Sequence, residues 1–570
     1  MDAALTRPVV IVGGGTTGLA LALFLDRLRV PSVVLEARTA DEVWSRPAGE
    51  GPDARTMEHL RRLGLAGQVR RRTGPGPDAP ADTVWAARLG GPPLATLARP
   101  TTRQALHAVA TAPATDPLPE PAHGTDGSAV ARLLYERSCT RPGITLCYGW
   151  RLEWLTQGAT HVEVTARNTV SGIARRWCAP YAVGCDGQDS AVRDRLGIHR
   201  YRLDGRGATG PHRGSCAVRL ELPTFHDGVP ADRRAGTYWT VGGDAVVRLE
   251  PLDGRGAFVL TGHSPAPGTT PSADAAPSAE AVRRALGIRL PVRVHGRPSW
   301  FPEAAVVAER FAAGRVFLAG GAAHAFPPDG GFGLDTGIDD AADLAWMLAG
   351  QVRGWGGPGL AAAYDLERRR VALRTGAVAD ELHRSLAAIG LPPTTDDSPA
   401  GAAARRRAGA LLRTYGERSR ALGVRLGARY DGSPLIASRE AAPAAAPGTY
   451  LPSGVPGGRA PHLWLDARHG AGSALADRFG AGFTLLRLGP GPADAKPLQA
   501  AAQAQGMPLT VLDVAGPEAR ELYGRDLVLI RPDQHIAWRG NRLPIDPGDL
   551  VSRTTGRCAT ALPNDYGDLL

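Results

Sequence analysis

Gly13, Gly15 and Gly18 form a G-x-G-x-x-G turn, and Glu36 follows Gly15 by 21 residues. Glycines at that spacing suit the binding of a dinucleotide. The first permits a tight turn, the second lets backbone approach a pyrophosphate, and the third lets a helix pack closely on its strand. The acid accepts hydrogen bonds from a ribose. A plain turn between core strands would account for the glycines, which number 72 in this chain. It would leave the acid without a reason.

For these residues to act together, the elements around them must be strand, helix and strand. Residues 9–12 are an unbroken apolar run, the mark of a parallel strand covered on both faces. Residues 16–28 carry the apolar period of a helix, whose first turn offers unpaired N–H groups and a positive dipole end to a phosphate. Glu36 closes the second strand.

A chain of 570 residues is too long for one core, and roughly two to four domains are expected. Its mean hydropathy is −0.16, and it has no uninterrupted apolar stretch of about 18 residues, so no membrane-spanning helix is expected. The N-terminus runs directly into the first strand, which leaves no room for a signal peptide and predicts a cytoplasmic protein. The net charge of +10 would ordinarily suggest nucleic acid or membrane partners. Lys496 is the only lysine, however, and arginine spread along the chain supplies the rest, so neither partner is expected. The run Arg405-Arg406-Arg407 reads as solvated surface. The six cysteines show no C-x-x-C and no spacing suited to a metal.

Beyond the opening unit, a helix is expected at 55–64, two strands around Gly90-Gly91-Pro92-Pro93, a long loop at 111–127 and a helix at 128–137. Residues 144–183 are strand-rich. Residues 215–263 alternate apolar and polar, with turns at Gly242-Gly243-Asp244 and Asp253-Gly254, and read as an antiparallel sheet. A strand, glycine loop and helix return at 314–348, followed by helices near 360–386 and 401–422. Residues 441–458 have the composition of a linker, and the tail beyond them is a separate α/β pattern.

Three stretches together resemble the class A flavoprotein monooxygenases, the para-hydroxybenzoate hydroxylase family, and most of all its larger members that tailor aromatic polyketides. They are the opening turn, the D-G stretch Gly184-Cys185-Asp186-Gly187 with Arg193, and Gly320-Gly321-Ala322-Ala323-His324 continued by Pro327-Pro328-Asp329-Gly330-Gly331-Phe332-Gly333-Leu334-Asp335. The resemblance implies an α/β architecture. A Rossmann-like FAD-binding domain (1–200 and 296–440) would be interleaved with an antiparallel-sheet substrate domain (78–110 and 201–295). The 441–458 linker would then lead to a thioredoxin-like domain (459–570) that lacks a cysteine pair and serves packing or a homodimer. It implies FAD on Gly13, Gly15, Thr17, Gly18, Glu36, Arg46, Asp186, Gly187, Gly321, Pro328, Gly331, Gly333, Leu334 and Asp335, with NADPH or NADH as co-substrate. Its function would be hydroxylation of, or oxygen insertion into, a large aromatic or polyketide-type molecule. Tyr238, Trp239 and Trp300 are candidate walls of the substrate pocket, and His324 is expected to satisfy a local backbone contact.

The same comparison shows departures. Gly321 stands where the family has an aspartate on the ribityl hydroxyls, and Asp335 stands where it has an asparagine. These predict a weak hold on the flavin half of FAD, or its loss. Asp329 and Asp335 would also place carboxylates where the reduced flavin carries negative charge. The alternative expectation is therefore a non-redox member of the fold, a cyclase, dehydratase or rearranging enzyme using Asp329, Asp335 or His324 as acid or base, or a silent partner of another enzyme.

Overall fold

The computed structural model of the chain describes residues 7–558 apart from 48–49, 116–117, 206–213, 242–245, 264–275, 390–397, 439, 466–472 and 490–492. The expected turn at Gly242-Gly243-Asp244 lies outside the described residues. Val9–Val12 is an inner strand of a six-stranded sheet, ordered Ala312–Ala313, Val316–Leu318, Ala182–Gly184, Val9–Val12, Ser32–Glu36, Ile144–Tyr148. Its pairings are parallel except that of the first two strands. The Thr16–Arg27 helix packs on this sheet and against the helices Gly127–Cys139 and Phe332–Val352. Gly18 to Leu25 are all buried, so this helix is apolar on every side and interior to the molecule.

A seven-stranded sheet lies beside it, ordered Arg293–Phe301, Ser215–Glu221, Ala257–His263, Val247–Pro251, Thr237–Thr240, Thr83–Ala86, Pro93–Leu97. Its pairings are antiparallel except where Thr237–Thr240 meets Thr83–Ala86. The strand Arg293–Phe301 continues past residue 295, where the sequence reading had placed a domain boundary. A helix at Thr102–Thr111 was not anticipated. Its start is the capping box of Thr101 and Gln104, a signal present in the sequence.

The tail is a mixed sheet ordered Leu509–Val514, Phe483–Leu488, Leu527–Ile530, Ile536–Gly540, flanked by the helices Lys496–Ala504, Pro517–Tyr523 and Pro547–Thr554. It does not stand apart from the rest. Phe483, Leu485, Leu527 and Leu529 belong to the same buried cluster as Ile11, Leu344 and Trp346, and the Phe483 ring meets Trp346 edge-on at 5.7 Å. The Phe332–Val352 helix thus packs against both the opening helix and the tail sheet. Among the described residues, no helix is long and apolar enough to cross a membrane.

Candidate functional site

A cavity of about 940 Å³ is lined by the ends of Val9–Val12 and Ser32–Glu36, by the 186–189 loop and by the head of Phe332–Val352. Arg248, Arg297 and Trp300 of the seven-stranded sheet close it. The volume is at the upper end of the roughly 300–1,000 Å³ usual for ligand sites. Among the described residues, no cluster of acids, histidines and cysteines could hold a metal ion.

At one end of the cavity the three glycines do separate jobs. Gly13 has φ +114°, and a Cβ there would overlap the Cys185 carbonyl. Gly18 packs on the Gly13 carbonyl, whereas nothing lies within 4 Å of where a Gly15 Cβ would sit. Gly15 is also the N-cap of the Thr16–Arg27 helix, with no side-chain cap and no acid in the first turn. The first turn of this helix is thus left without a side-chain cap, and backbone can be approached at Gly15, as a pyrophosphate requires. Glu36 is buried; one carboxylate oxygen accepts from Gly14 N–H at 2.9 Å and the other from Arg38 N–H and Nε at 3.0 and 2.8 Å. Thr17 and Arg46 line the same cavity.

The second stretch forms the cavity floor. Asp186 accepts from the Ser190 hydroxyl at 2.5 Å and from Val192 N–H at 3.1 Å, and burial raises its pKa despite those bonds. Arg193 donates to the Ala322 carbonyl at 3.1 Å, tying this loop to the glycine turn at 320–322. Gly187 and Gln188 come so close to Gly321 that a Cβ there would lie 3.0 Å from Gly187 Cα and 3.3 Å from Gln188 N. The 187–188 backbone would therefore have to give by a few tenths of an ångström to admit a side chain at 321.

His324 lines the cavity, but its Nε2 sits 2.8 Å from Asp340 Oδ2, so its partner is a carboxylate rather than the expected backbone group. Its ring stacks on Phe326 at 4.9 Å. Asp340 also accepts from Gly320 N–H and from Arg368 Nε. Burial opposes its ionisation, and Arg368 and His324 outweigh burial, leaving its pKa lowered.

Two expected acids are aimed away from the cavity. Asp335 accepts from Asp53 N–H at 3.0 Å, from the Thr56 hydroxyl at 2.7 Å and from Arg425 at 3.0 Å. Asp329 is 1% exposed; its carboxylate pairs with His383 Nδ1 at 2.6 Å and takes a long bond from the Tyr415 hydroxyl at 3.4 Å. Neither lines the cavity, although Pro328, Gly331, Gly333 and Leu334 around them do. The expectation that both carboxylates face the flavin is corrected: each has been drawn off by partners remote in sequence.

The substrate wall also differs. Trp300 lines the cavity, whereas Tyr238 and Trp239 border a separate cavity of about 100 Å³. The Tyr238 hydroxyl accepts from Ala235 N–H at 2.6 Å, and Trp239 packs edge-on against Tyr415 and under Arg248. The residue on this side that the sequence reading missed is Arg248. It is held between Glu50, which covers Gly331, and Glu250, whose Oε2 is 3.1 Å from its Nε. Burial, with Glu50 nearby, pushes Glu250 up to about 7 even beside that arginine. No motif marked this trio, since Glu50 and Arg248 are 198 residues apart.

The residues present fit FAD. The tight, open and packed glycines form the dinucleotide turn, and the cavity continues from them to the head of a long helix. Residues 6–378 match the family described as FAD binding domain, and residues 453–558 match the one described as aromatic-ring hydroxylase, C-terminal. A FAD-dependent monooxygenase of Penicillium oxalicum is 31% identical, over 86% of this chain and 95% of that protein. The tetracenomycin A2 monooxygenase-dioxygenase of Streptomyces glaucescens is also 31% identical, over 96% and 95%. The rebeccamycin biosynthetic enzyme RebC, solved with reduced flavin, superposes with a TM-score of 0.83 at 33% identity, covering 97% of this chain and 99% of that one.

Proposed function

The chain belongs to the FAD-dependent aromatic-ring hydroxylases, and on that premise we propose that it oxygenates a large aromatic, polyketide-type compound with NADPH or NADH as reductant. The observation that carries this reading is a single cavity running from the Gly13–Glu36 turn, past the head of Phe332–Val352, to Arg248 and Trp300. Gly13, Gly15 and Glu36 would hold the ADP half of FAD, and the 186–188 and 328–334 loops the flavin half. Bound FAD supplies hydride acceptance and oxygen activation.

The chain's own residues bind, orient and exclude water. Phe326, Pro327, Pro328 and Phe332 give the cavity an apolar flank, and the helix beginning at Phe332 turns its positive end toward negative charge there. On the sheet side, Arg248 supplies a fixed cation, held from behind by Glu250. The non-redox reading rested on Gly321 and Asp335, and both have structural occupations, so it is not favoured.

The test is a titration of the deflavinated protein with FAD, followed by NADPH or NADH oxidation with tetracenomycin A2 as the aromatic probe. The expected result is bound flavin, reduction by one nicotinamide in preference to the other, and a product heavier by one oxygen atom. A protein that binds ADP but no FAD would overturn the reading.

A further inference from the structure

Arg425 ends the short helix Leu422–Arg425 and reaches the cavity loop from behind. Its Nη1 donates to Asp335 Oδ2 at 3.0 Å and Asp53 Oδ2 at 3.4 Å, its Nη2 donates to the Gly330 carbonyl, and its guanidinium carbon lies 4.8 Å from the Phe332 ring centroid. Three segments remote in sequence therefore meet on one planar fork. Two of them are already joined, because Asp335 accepts from Asp53 N–H and the Thr56 hydroxyl.

Before the fork's contacts the loop is held at Asp329 by His383, and Gly331 N–H donates to the Pro328 carbonyl at 3.2 Å, so the fork fixes the stretch between that anchor and the helix. Gly330 and Gly331 have φ +97° and +63°, and the helix they lead into has no side-chain cap. Two successive glycines in that region are favoured by sterics but lose much conformational freedom on ordering. Arg425 is itself held: its Nε donates to the Arg420 carbonyl at 3.1 Å, and Gly423 N–H donates to the Pro447 carbonyl at 2.9 Å in the 441–458 segment.

We propose that Arg425, acting through Asp335 and the Gly330 carbonyl, is the positioning residue that sets the loop at the head of Phe332–Val352 against the flavin half of the cofactor. The inference rests on the FAD reading above. It also gives a reason for an acid at 335: an asparagine would keep the bonds to Asp53 and Thr56 and lose the charge that holds Arg425. Burial and the neighbouring Asp53 raise the Asp335 pKa, and Arg425 opposes that rise. Lysine would be a poor substitute, because a point charge cannot serve two carboxylates and a carbonyl with fixed planar geometry.

The experiment compares deflavinated wild type with the Arg425→Met, Arg425→Lys and Asp335→Asn proteins by titration with FAD and, separately, with ADP. The midpoint potential of the bound flavin is measured in each. ADP uses the Gly13–Glu36 end alone, so it reports whether the fold and that end survive. The expected result is FAD affinity down about tenfold in Arg425→Met, less in Arg425→Lys and Asp335→Asn, with ADP affinity within about twofold of wild type. The potential should move negative in the same order, as the helix head leaves the reduced flavin. FAD affinity and potential unchanged in Arg425→Met, or ADP lost in parallel with FAD in all three variants, would overturn this inference. Wild-type protein that takes up no FAD would overturn the cofactor reading and this inference with it.

Discussion

Glu36 shows how an acid can be both brace and ligand. It accepts three hydrogen bonds within the protein, from Gly14 N–H and from two groups of Arg38, leaving part of its capacity of about four for a ribose hydroxyl. Glu36→Ala should therefore remove a ligand contact and also release the Gly14 amide. The expected loss is about 1–3 kcal/mol for FAD and for ADP alike, read by parallel titrations. Equal affinities in mutant and wild type would mean that the acid serves only the turn.

Among the elements, the turn at 320–322 and the loop at 186–188 behave as one unit, joined by Arg193 and by the close approach at Gly321. In the sequence, Gly321 and Asp335 together predict a weak hold on the flavin half of FAD. The packing at 321 sets a steric cost against regaining the aspartate contact there. A side chain at 321 needs the 187–188 backbone to give by a few tenths of an ångström, and where it does not give, the overpacking costs about 1–3 kcal/mol. Gly321→Asp should lower both melting temperature and FAD affinity, and Gly321→Ala should do nearly as much, because the Cβ alone makes the contact. Tighter FAD binding in the aspartate variant would show that the loop yields without cost.

The whole molecule is held together by charges buried where the tail meets the body. Arg531 of the tail is fully buried, bonded to Glu367 at 2.7 and 2.8 Å, to Asp343 at 2.9 Å and to Asp533 at 2.6 Å, between the rings of Trp346 and Tyr430. Removing such a partner strands its acids, at a cost of about 3–5 kcal/mol. Arg531→Met should lower the melting temperature and speed proteolysis within 441–458, a segment that in the intact protein is tied down at Pro447 and Gly457. Unchanged cutting would mean that apolar packing alone keeps the tail docked. A pH effect belongs to the same interface. Burial first, then Arg55 near His59 and Arg459 near His462, lower both histidines to about 3. The unfolded chain binds these protons below about pH 6.5 and the folded one does not, so stability is full above that pH and falls as the pH drops toward 3. Each ring should contribute a loss of about 2 kcal/mol between pH 7 and 5, read as a falling urea midpoint. A flat profile would mean that the rings accept protons in the folded state.

The opening strand, turn, helix and acid could be read from the sequence because each signal is local. Apolar runs, glycine spacing and helical period are set by neighbours within one or two turns, and the α/β pattern of the tail was legible for the same reason. The motifs around Asp186 and Gly320 likewise located the loops that line the cavity. They did not reveal where Asp329 and Asp335 point. Those directions are decided by His383, Tyr415, Arg425, Asp53 and Thr56, which only the folded chain brings near. Whether Gly321 was a lost ligand or a close contact likewise depended on where the 187–188 backbone came to rest. A buried polar side chain turns to the partner that best offsets its desolvation, and that partner's distance along the chain has no bound.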